Sequence, residues 1–541
     1  SYRLVLEAAG LLVAPQQGNV PAAAPMSAVC AGSAGCVGRD GRGDTRLVEG
    51  ISYDSRTTAP GWLFVCKGAH FSERYLSDAL ARGAVACVFE DGSLDEAMLA
   101  QIVASGAAAI AVRDVRRALP HIANHFYGRV WEELVTVAVT GTKGKSTTVY
   151  CLKAMLDAWA AHEGRRPAAV LSSIDTFDGV ESFESHLTTP EVFELHRHFA
   201  HAADSGLAYL VMEVSSQALK YGRVADVVFD VGCFLNIGED HISPIEHPDA
   251  EDYLASKLLL FGQCKAACIN AACDQATRVR DAANMSLAPD KVVDFSADPA
   301  VPATLNACAV RPSDCEDGTP GLAFEVCGPG AAGGSTACYQ LGMTGTFNVE
   351  NALAALTVAR MLGVPEEFIR SGLVAARASG RMELFKAPSG AVVIVDYAHN
   401  HMSFERLFAS VESEYPGTRR TIVFGCPGHK ALGRREELGR WAGSFCAMTY
   451  LTEEDAGDEP VAQICEQIAL HVRAAGGNYT IMPDRTAAIQ EALDDADAQT
   501  VVMITGKGRE TRQKRGNAYV EVASDVAIVE SWIKGQRAYP H

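Results

Sequence analysis

The stretch Thr140-Gly-Thr-Lys-Gly-Lys-Ser-Thr147 constrains this chain more than any other. It follows an unbroken β-branched run, Leu134 to Val139, and opens a helical stretch from Thr147 to Ala160. A strand, a glycine-rich turn and a helix in that order make a phosphate cradle. Convergent backbone N–H groups need glycines to let the backbone approach the ligand, and the helix N-terminus adds positive potential. Lys145 can reach terminal phosphates and Ser146 can ligate Mg²⁺. Gly141, Thr142, Lys143, Gly144, Lys145, Ser146 and Thr147 therefore form a candidate nucleotide loop. With Gly141 only three residues ahead of Gly144, it is tighter than a standard Walker loop.

Around this loop the chain reads as α/β. Its 541 residues exceed one core, and at about 100–200 residues per domain they predict about three. Residues 1–130 alternate short apolar runs (Ala84–Glu90, Ala107–Val112) with helix-like segments such as Tyr75–Arg82. Residues 131–376 add buried-strand candidates at Ala168–Ser172, Ala208–Glu213 and Val227–Leu235, the pattern of a covered parallel sheet. Residues 377–541 repeat that pattern with strands at Val392–Asp396, Arg420–Gly425, Ala447–Leu451 and Val501–Thr505. The Gly-, Pro- and Cys-rich segment Ala297–Ala337 reads as an irregular excursion.

A net charge of −19 argues against a general nucleic-acid binder, so any phosphate site must be a local pocket. Sixteen scattered cysteines without a CxxC pair predict reduced, buried thiols in the cytoplasm. The longest apolar runs are strand-length, far short of the ~20 residues that span a bilayer, which predicts no membrane insertion.

Three further residues stand out. Glu213 ends an apolar run, where an acid at the tip of a parallel strand faces the ligand crevice. His241 follows the next strand and is a candidate second metal ligand. Lys257 lies in the apolar run Tyr253 to Phe261, where a lysine must snorkel, pair or lose its charge.

Taken together, these motifs resemble the Mur ligase family, and within it the branch that adds the third amino acid of the peptidoglycan precursor. Asp54-Ser-Arg56, Pro60-Gly-Trp-Leu-Phe-Val65 and Lys67-Gly68 are similar to the family's N-terminal uridine-binding domain. Leu187-Thr-Thr-Pro190, Met212-Glu-Val-Ser-Ser216, Arg223 and Glu239-Asp-His241 are similar to its central ATPase domain. Phe347-Asn-Val-Glu-Asn351, Gly380-Arg-Met-Glu383, Asp396-Tyr-Ala-His-Asn400, Pro483-Asp-Arg485 and Gly506-Lys-Gly-Arg-Glu510 continue the series into a Rossmann-like C-terminal domain.

The resemblance implies an ATP-dependent ligase of cell-wall precursor synthesis, linked to cell shape and division, and a cytoplasmic monomer. ATP phosphorylates the carboxylate of UDP-MurNAc-L-Ala-D-Glu, and an amino acid's amine displaces the phosphate. It implies that Asn348, Arg381, Asp396 and His399 join the loop on ATP. Tyr53, Ser55, Ala69, His70 and Phe71 would hold the uridine diphosphate, and Thr188, Thr189, Ser215, Tyr221 and Arg223 the muramoyl peptide. Ser146, Glu213, His241 and a CO₂-derived carbamate on Lys257 would hold Mg²⁺. Arg435, Glu454, Asp455, Gly457, Gly506 and Glu510 would form the amino-acid site. Members that select meso-diaminopimelate carry an Asp-Asn-Pro-Arg element whose arginine clamps the distal carboxylate. Here that stretch reads Glu454-Asp-Ala-Gly457, so an acidic pocket favouring L-lysine or another diamino acid is expected. Gln217, Tyr221 and Arg509 also depart from the family pattern. Alternatives are the diaminopimelate-adding activity, a folylpolyglutamate-synthetase-like ligase, a lipid-II amidotransferase subunit and an inactive nucleotide-binding homologue.

Overall fold

The computed structural model describes residues 10–11, 30–31, 47–68, 71–185, 187–238, 242–243, 246–316, 318–329, 336–430 and 432–535. Three mainly parallel sheets follow one another along the chain. The first has strand order β1-β2-β3-β4, from Gly50–Ser52 (β1), Trp62–Val65 (β2), Ala86–Glu90 (β3) and Ala108–Val112 (β4). All its pairings are parallel; helices Glu73–Ala81 (α1) and Glu96–Ser105 (α2) join β2 to β3 and β3 to β4, and Val115–Tyr127 (α3) follows β4. Its strands are buried almost end to end, as expected where helices cover a sheet.

The central sheet is built on Val135–Thr140 (β5), which runs into the loop and then helix Lys145–His162 (α4). Next come Ala169–Leu171 (β6), the hairpin Asp175–Phe177 (β7) and Ser182–Glu184 (β8), and helix Val192–Asp204 (α5). Tyr209–Glu213 (β9), helix Ser216–Lys220 (α6), Phe229–Phe234 (β10) and helix Ala250–Leu258 (α7) follow. Cys264–Asn270 (β11), Val292–Ser296 (β12), Leu305–Pro312 (β13), Leu322–Cys327 (β14) and Ala337–Leu341 (β15) complete the order β8-β7-β6-β9-β5-β10-β11-β12-β13-β14-β15. Thus β5 lies between β9 and β10, parallel to both. The segment expected to be an irregular excursion instead extends the sheet, because β14 pairs antiparallel with β13 and β15. β13 and β15 mix small and polar residues, so they lack the apolar runs that revealed the parallel strands, and the apolar β14 is short and broken by Glu325.

Helices Asn348–Met361 (α9, after Ala276–Ser286 as α8) and Glu366–Ala375 (α10) pack on α4 and fill one side of the sheet. The contact between α10 and α4 is close enough to require a bare backbone. A Cβ on Gly372 would lie 2.4 Å from Met155 Cα and 2.6 Å from its N.

The third sheet has order β16-β17-β21-β18-β19-β20, from Glu383–Lys386 (β16), Val392–Asp396 (β17), Arg419–Phe424 (β18), Met448–Leu451 (β19), Tyr479–Ile481 (β20) and Thr500–Thr505 (β21). Only β16 runs antiparallel. Helices His401–Glu414 (α11), Gly433–Phe445 (α12) and Val461–Ala474 (α13) pack around a shared apolar cluster, while Arg485–Asp494 (α14) and Asp525–Ile533 (α15) pack around another. Glu414 joins this sheet to the central one. Its carboxylate accepts N–H bonds from Gly345 (2.9 Å) and Thr346 (3.0 Å), just ahead of α9.

The cysteines among the described residues are free and mostly buried, as expected. No helix among those residues is long and apolar enough to cross a membrane.

Replacing Gly372 by Ala should force α10 away from α4 and destabilise the fold by about 1–3 kcal/mol. This would show as an earlier urea midpoint with an unchanged slope; an unshifted midpoint would mean that the helices part without cost.

Candidate active site

The loop after β5 is held open by residues outside it. Gly144 caps α4 in the left-handed region (φ +86°), and a Cβ there would lie 2.1 Å from Asn351 Oδ1. Only glycine satisfies both conditions. Asn236, just beyond β10, staples the loop from the other side: its Oδ1 accepts from Lys143 N (2.9 Å) and its Nδ2 donates to Lys143 O (3.1 Å). Thr142 N donates to Asn236 O, and Thr142 Oγ1 accepts from Gly238 N at 3.1 Å. Lys145 folds back so that Nζ donates to Gly141 O at 2.9 Å. Lys257, buried on α7, donates to the same oxygen at 3.0 Å with Tyr253 packed against its ammonium. Two lysine side chains therefore converge on one carbonyl.

Beside the loop, Ser146 Oγ lies 3.1 Å from Ser173 Oγ, and Ser173 donates its N–H (2.8 Å) and hydroxyl (3.1 Å) to Glu213 Oε1. Glu213 ends β9 and is buried at the floor of the cleft. This cluster of hard oxygen donors next to a phosphate loop fits Mg²⁺. The backbone amides and Lys145 above it fit a nucleotide's phosphates.

The opposite wall comes from the third sheet. A cavity of about 290 Å³ is lined by the loop, Ser173, Thr188, Glu213 and Asn351 on one side, and by Arg381, Asp396, Tyr397, His399 and Arg406 on the other. Asp396 ends β17, with one oxygen accepting from Met382 N and the other from Ala398 N, both at 2.8 Å. Burial raises its pKa against the opposing pull of Arg381 and those N–H groups. Its two carboxylate bonds fix the loops that present Arg381 and His399. Arg381 stacks over Tyr397, and His399 Nδ1 donates to Tyr397 O at 2.7 Å. Asn348 stands one layer back, holding Asn351 (3.1 Å) and Thr344 O (2.7 Å).

The residues expected on the uridine and muramoyl peptide gather where the first sheet meets the central one. Glu191 bonds Lys67 (2.5 Å) and Arg223 (2.6 Å), and Arg223 also donates to Thr189 O at 3.2 Å. Thr189 Oγ1 donates to Glu213 O and accepts from Ser215 N, both at 3.0 Å. Tyr53 stacks on Phe193, lies under Lys67 and hydrogen-bonds Glu194, which with burial holds its hydroxyl well above the usual range. Ser55 is buried, Phe71 tilts against Phe64, and Tyr221 lies under Arg116. Ala69, His70 and His241 lie outside the described residues. Sequence reasoning missed Ser173, Glu191, Asn236 and Asn351 as site residues, and passed over Lys67 although its motif was noted. Asn236 and Asn351 sit beside recognised motifs, but their neutral amides act on the loop rather than on a ligand.

The amino-acid end differs from expectation in two respects. Arg435, expected to grip a carboxylate, is buried in a bidentate pair with Glu459 (2.7 and 2.8 Å) and also donates to Gln467 and Pro427 O. The pairing holds the Glu459 carboxyl at about 2. Nor is the acidic stretch unopposed. Arg515 pairs with Glu453 (2.6 Å), and Lys507 bridges Asp455 (3.1 Å) and Glu510 (2.5 Å). Tyr397 OH donates to Glu510 at 2.5 Å. Gly457 takes φ +62° and hydrogen-bonds the backbone of Lys514 and Gly516. Glu453 and Glu454 are both buried, but Glu453 is paired with Arg515, whereas Glu454 lies tight against Gly506, where a Cβ would lie 2.3 Å from its Oε2. Burial pushes its carboxyl up to about 7 despite Arg485, Lys507 and Arg434 nearby.

That shift has a sign. A carboxyl near 7 in the folded chain and near 4.5 when unfolded binds its proton more tightly in the fold. Its contribution to stability is full below the unfolded value and is lost as pH rises through about 7. Glu454→Gln should therefore lose less stability than wild type between about pH 5 and about pH 8, by on the order of 1–3 kcal/mol. Denaturant titrations at both pH values check this, and parallel slopes for the two proteins would contradict it.

Comparison with known proteins places the fold in a family. The Mur ligase middle domain matches residues 139–359, and the Mur ligase glutamate ligase domain matches residues 380–508. A UDP-N-acetylmuramoyl-L-alanyl-D-glutamate--L-lysine ligase of Enterococcus faecalis is 36% identical over 490 residues, covering 90% of this chain and 92% of that protein. A UDP-N-acetylmuramyl-tripeptide synthetase of Bifidobacterium longum is 37% identical over 499 residues, covering 89% and 91%. Among solved structures, a UDP-N-acetylmuramoyl-L-alanyl-D-glutamate--2,6-diaminopimelate ligase superposes with a TM-score of 0.60 at 23% identity, covering 91% of this chain and 95% of that one. MurF ligase from Thermotoga maritima in complex with ADP gives 0.58 at 17%, covering 91% and 97%. With its loop motif, its sheet order and relatives of this similarity over nine-tenths of its length, the chain belongs to the Mur ligase family.

Proposed function

We propose that this chain is an ATP-dependent ligase that joins L-lysine, or another diamino acid without a distal carboxylate, to the D-glutamate of UDP-MurNAc-L-Ala-D-Glu. It acts in the cytoplasm on precursors of peptidoglycan. One observation carries the amino-acid assignment. Gly457 offers no side chain where a carboxylate clamp would need an arginine, and neighbouring Glu454 keeps a buried carboxyl that, among the described residues, feels Arg485, Lys507 and Arg434 only through their charge. A distal ammonium suits such a site and a distal carboxylate does not. The names of relatives such as the L-lysine ligase of Enterococcus faecalis support the same reading.

The three sheets divide the substrates. Residues 1–130 hold the uridine nucleotide, 131–376 ATP, and 377–541 the amino acid. The D-glutamate carboxylate attacks the γ-phosphorus, ADP leaves, and the amine then displaces phosphate from the acyl phosphate. Lys145, the loop amides and Arg381 neutralise charge on the transferring phosphoryl group. Ser146 and Glu213 would hold Mg²⁺, which would supply charge neutralisation beside them. Carbamoylated by CO₂, Lys257 would supply an anionic ligand for a second Mg²⁺. The shared carbonyl supports this, because the modification turns one of two converging cations into an anion.

Phosphate release from ATP and UDP-MurNAc-dipeptide with a panel of amino acids tests the assignment. Lysine should be preferred over meso-diaminopimelate; the reverse order would overturn the Glu454 argument, and no release with any amino acid would overturn the ligase reading. Lys257→Ala should lower kcat by roughly 10²–10³-fold. Short-chain carboxylates should partly restore it, and a variant that they fail to restore would count against the carbamate.

A further inference from the structure

A second cluster of ligating groups lies outside the nucleotide cleft, between the β7–β8 hairpin and α5. Asp178 and Glu181 sit in the hairpin turn, and His198 and His201, one turn apart on α5, face them. One ligand atom from each of the four residues lies within 4.8 Å of all the others.

Hydrogen bonding accounts for only part of this arrangement. Asp178 Oδ1 accepts from Val180 N (2.9 Å) and Glu181 N (2.7 Å), which closes the turn. Asp178 Oδ2 lies 2.7 Å from His198 Nδ1 and 2.8 Å from His201 Nδ1, so both rings aim the same nitrogen at one oxygen. Glu181 Oε1 accepts from Arg197 at 2.7 Å, but Oε2 is buried with no hydrogen-bond partner among the described residues. It lies 3.8 and 3.9 Å from the same two nitrogens, too far for a hydrogen bond. Ligands about 2.1 Å from a tetrahedral ion stand about 3.4 Å apart, and the four measured separations straddle that value.

We propose that Asp178, Glu181, His198 and His201 form a structural site for a divalent transition ion of the Zn²⁺ class, separate from the Mg²⁺ position at Ser146 and Glu213. Two imidazoles and two carboxylates make an N₂O₂ set suited to a borderline ion rather than to Mg²⁺ or Ca²⁺. His198 and Asp178 are almost wholly buried, and Phe183 packs against the His198 ring, so the site is shielded. The ion would pin the hairpin to α5. The chain leaving that hairpin carries Thr188 and Thr189 to the cleft, and β8 itself touches the third sheet's segment through Glu184 and Thr511 (3.1 Å). The site thus braces the path along which the substrate loop is held.

The test uses the full chain, stripped with a chelator and dialysed against Zn²⁺ with Mg²⁺ in excess. Wild type should bind one equivalent, and its Co²⁺ form should show visible ligand-field bands without a thiolate charge-transfer band, which separates this site from the free cysteines. His198→Gln with His201→Gln should bind at least about 10-fold more weakly. Glu181→Gln, at a half-exposed position that leaves the fold intact, should weaken binding without altering the metal-free melting profile. Failure of wild type to bind an equivalent, binding unchanged in the double variant, or a thiolate band would each overturn the proposal.

Discussion

Everything in the cleft depends on bringing bare backbone to within bonding distance of a phosphate. A side chain at Gly144 would collide with Asn351, whose Oδ1 lies 2.1 Å from where its Cβ would stand. Asn351 is in turn held by Asn348, at the start of the helix that packs on α4. Asn236 fixes the far side of the loop from the tip of the neighbouring strand. The loop is therefore shaped by two asparagines on separate elements before any ligand arrives. Such preorganisation matters because amides that are already aimed need no rearrangement when charge develops.

The charge of the cleft runs against that of the molecule. With a net charge of −19 the surface as a whole repels a nucleotide. The cavity wall nevertheless presents Lys143, Lys145, Arg381 and Arg406, set against Glu213 and Asp396. Asp396 has both oxygens committed to backbone N–H groups, and Glu213 accepts from Ser173. The wall is thus locally cationic, with one acid, Glu213, beside the loop. Arg381 and Arg406 come from the third sheet, so the field is complete only when that sheet stands over the loop. Glu414, bonded to Gly345 and Thr346, ties the two together at the end of the cleft where α9 begins.

Much of this was legible because parallel α/β sheets write themselves in apolar runs. The strands leading to Thr140, Glu213 and Asp396 were found within a residue or two, and with them the acids and the loop at their tips. The strands β13 to β15 were not, since β13 and β15 carry no such run and the apolar β14 is short and broken by Glu325. Charged site residues announce themselves by being costly to bury, as Lys257 did. Asn236, Asn351 and Ser173 are uncharged and common in loops, and their roles exist only through contacts with the nucleotide loop across 27 residues of sequence or more. His198 and His201 read as an ordinary helical pair until the hairpin brings Asp178 and Glu181 against them.

The amino-acid end shows why counting charges along a segment misjudges a pocket. Glu453, Glu454 and Asp455 look like an acidic patch, yet Arg515 and Lys507 arrive from a distant part of the chain and bond the outer two. Arg435, which looks available for a carboxylate, is spent on Glu459. What survives this pairing is one buried carboxyl, Glu454, against a glycine whose bare backbone lets it stand there. Selectivity is a difference between two ligands, and a buried carboxyl discriminates in both directions. An ammonium would restore its charge and gain a strong bond, whereas a second carboxylate would add like charge to a site already too poor in water to ionise fully. The preference thus rests less on a missing arginine than on an acid that no neighbour has claimed.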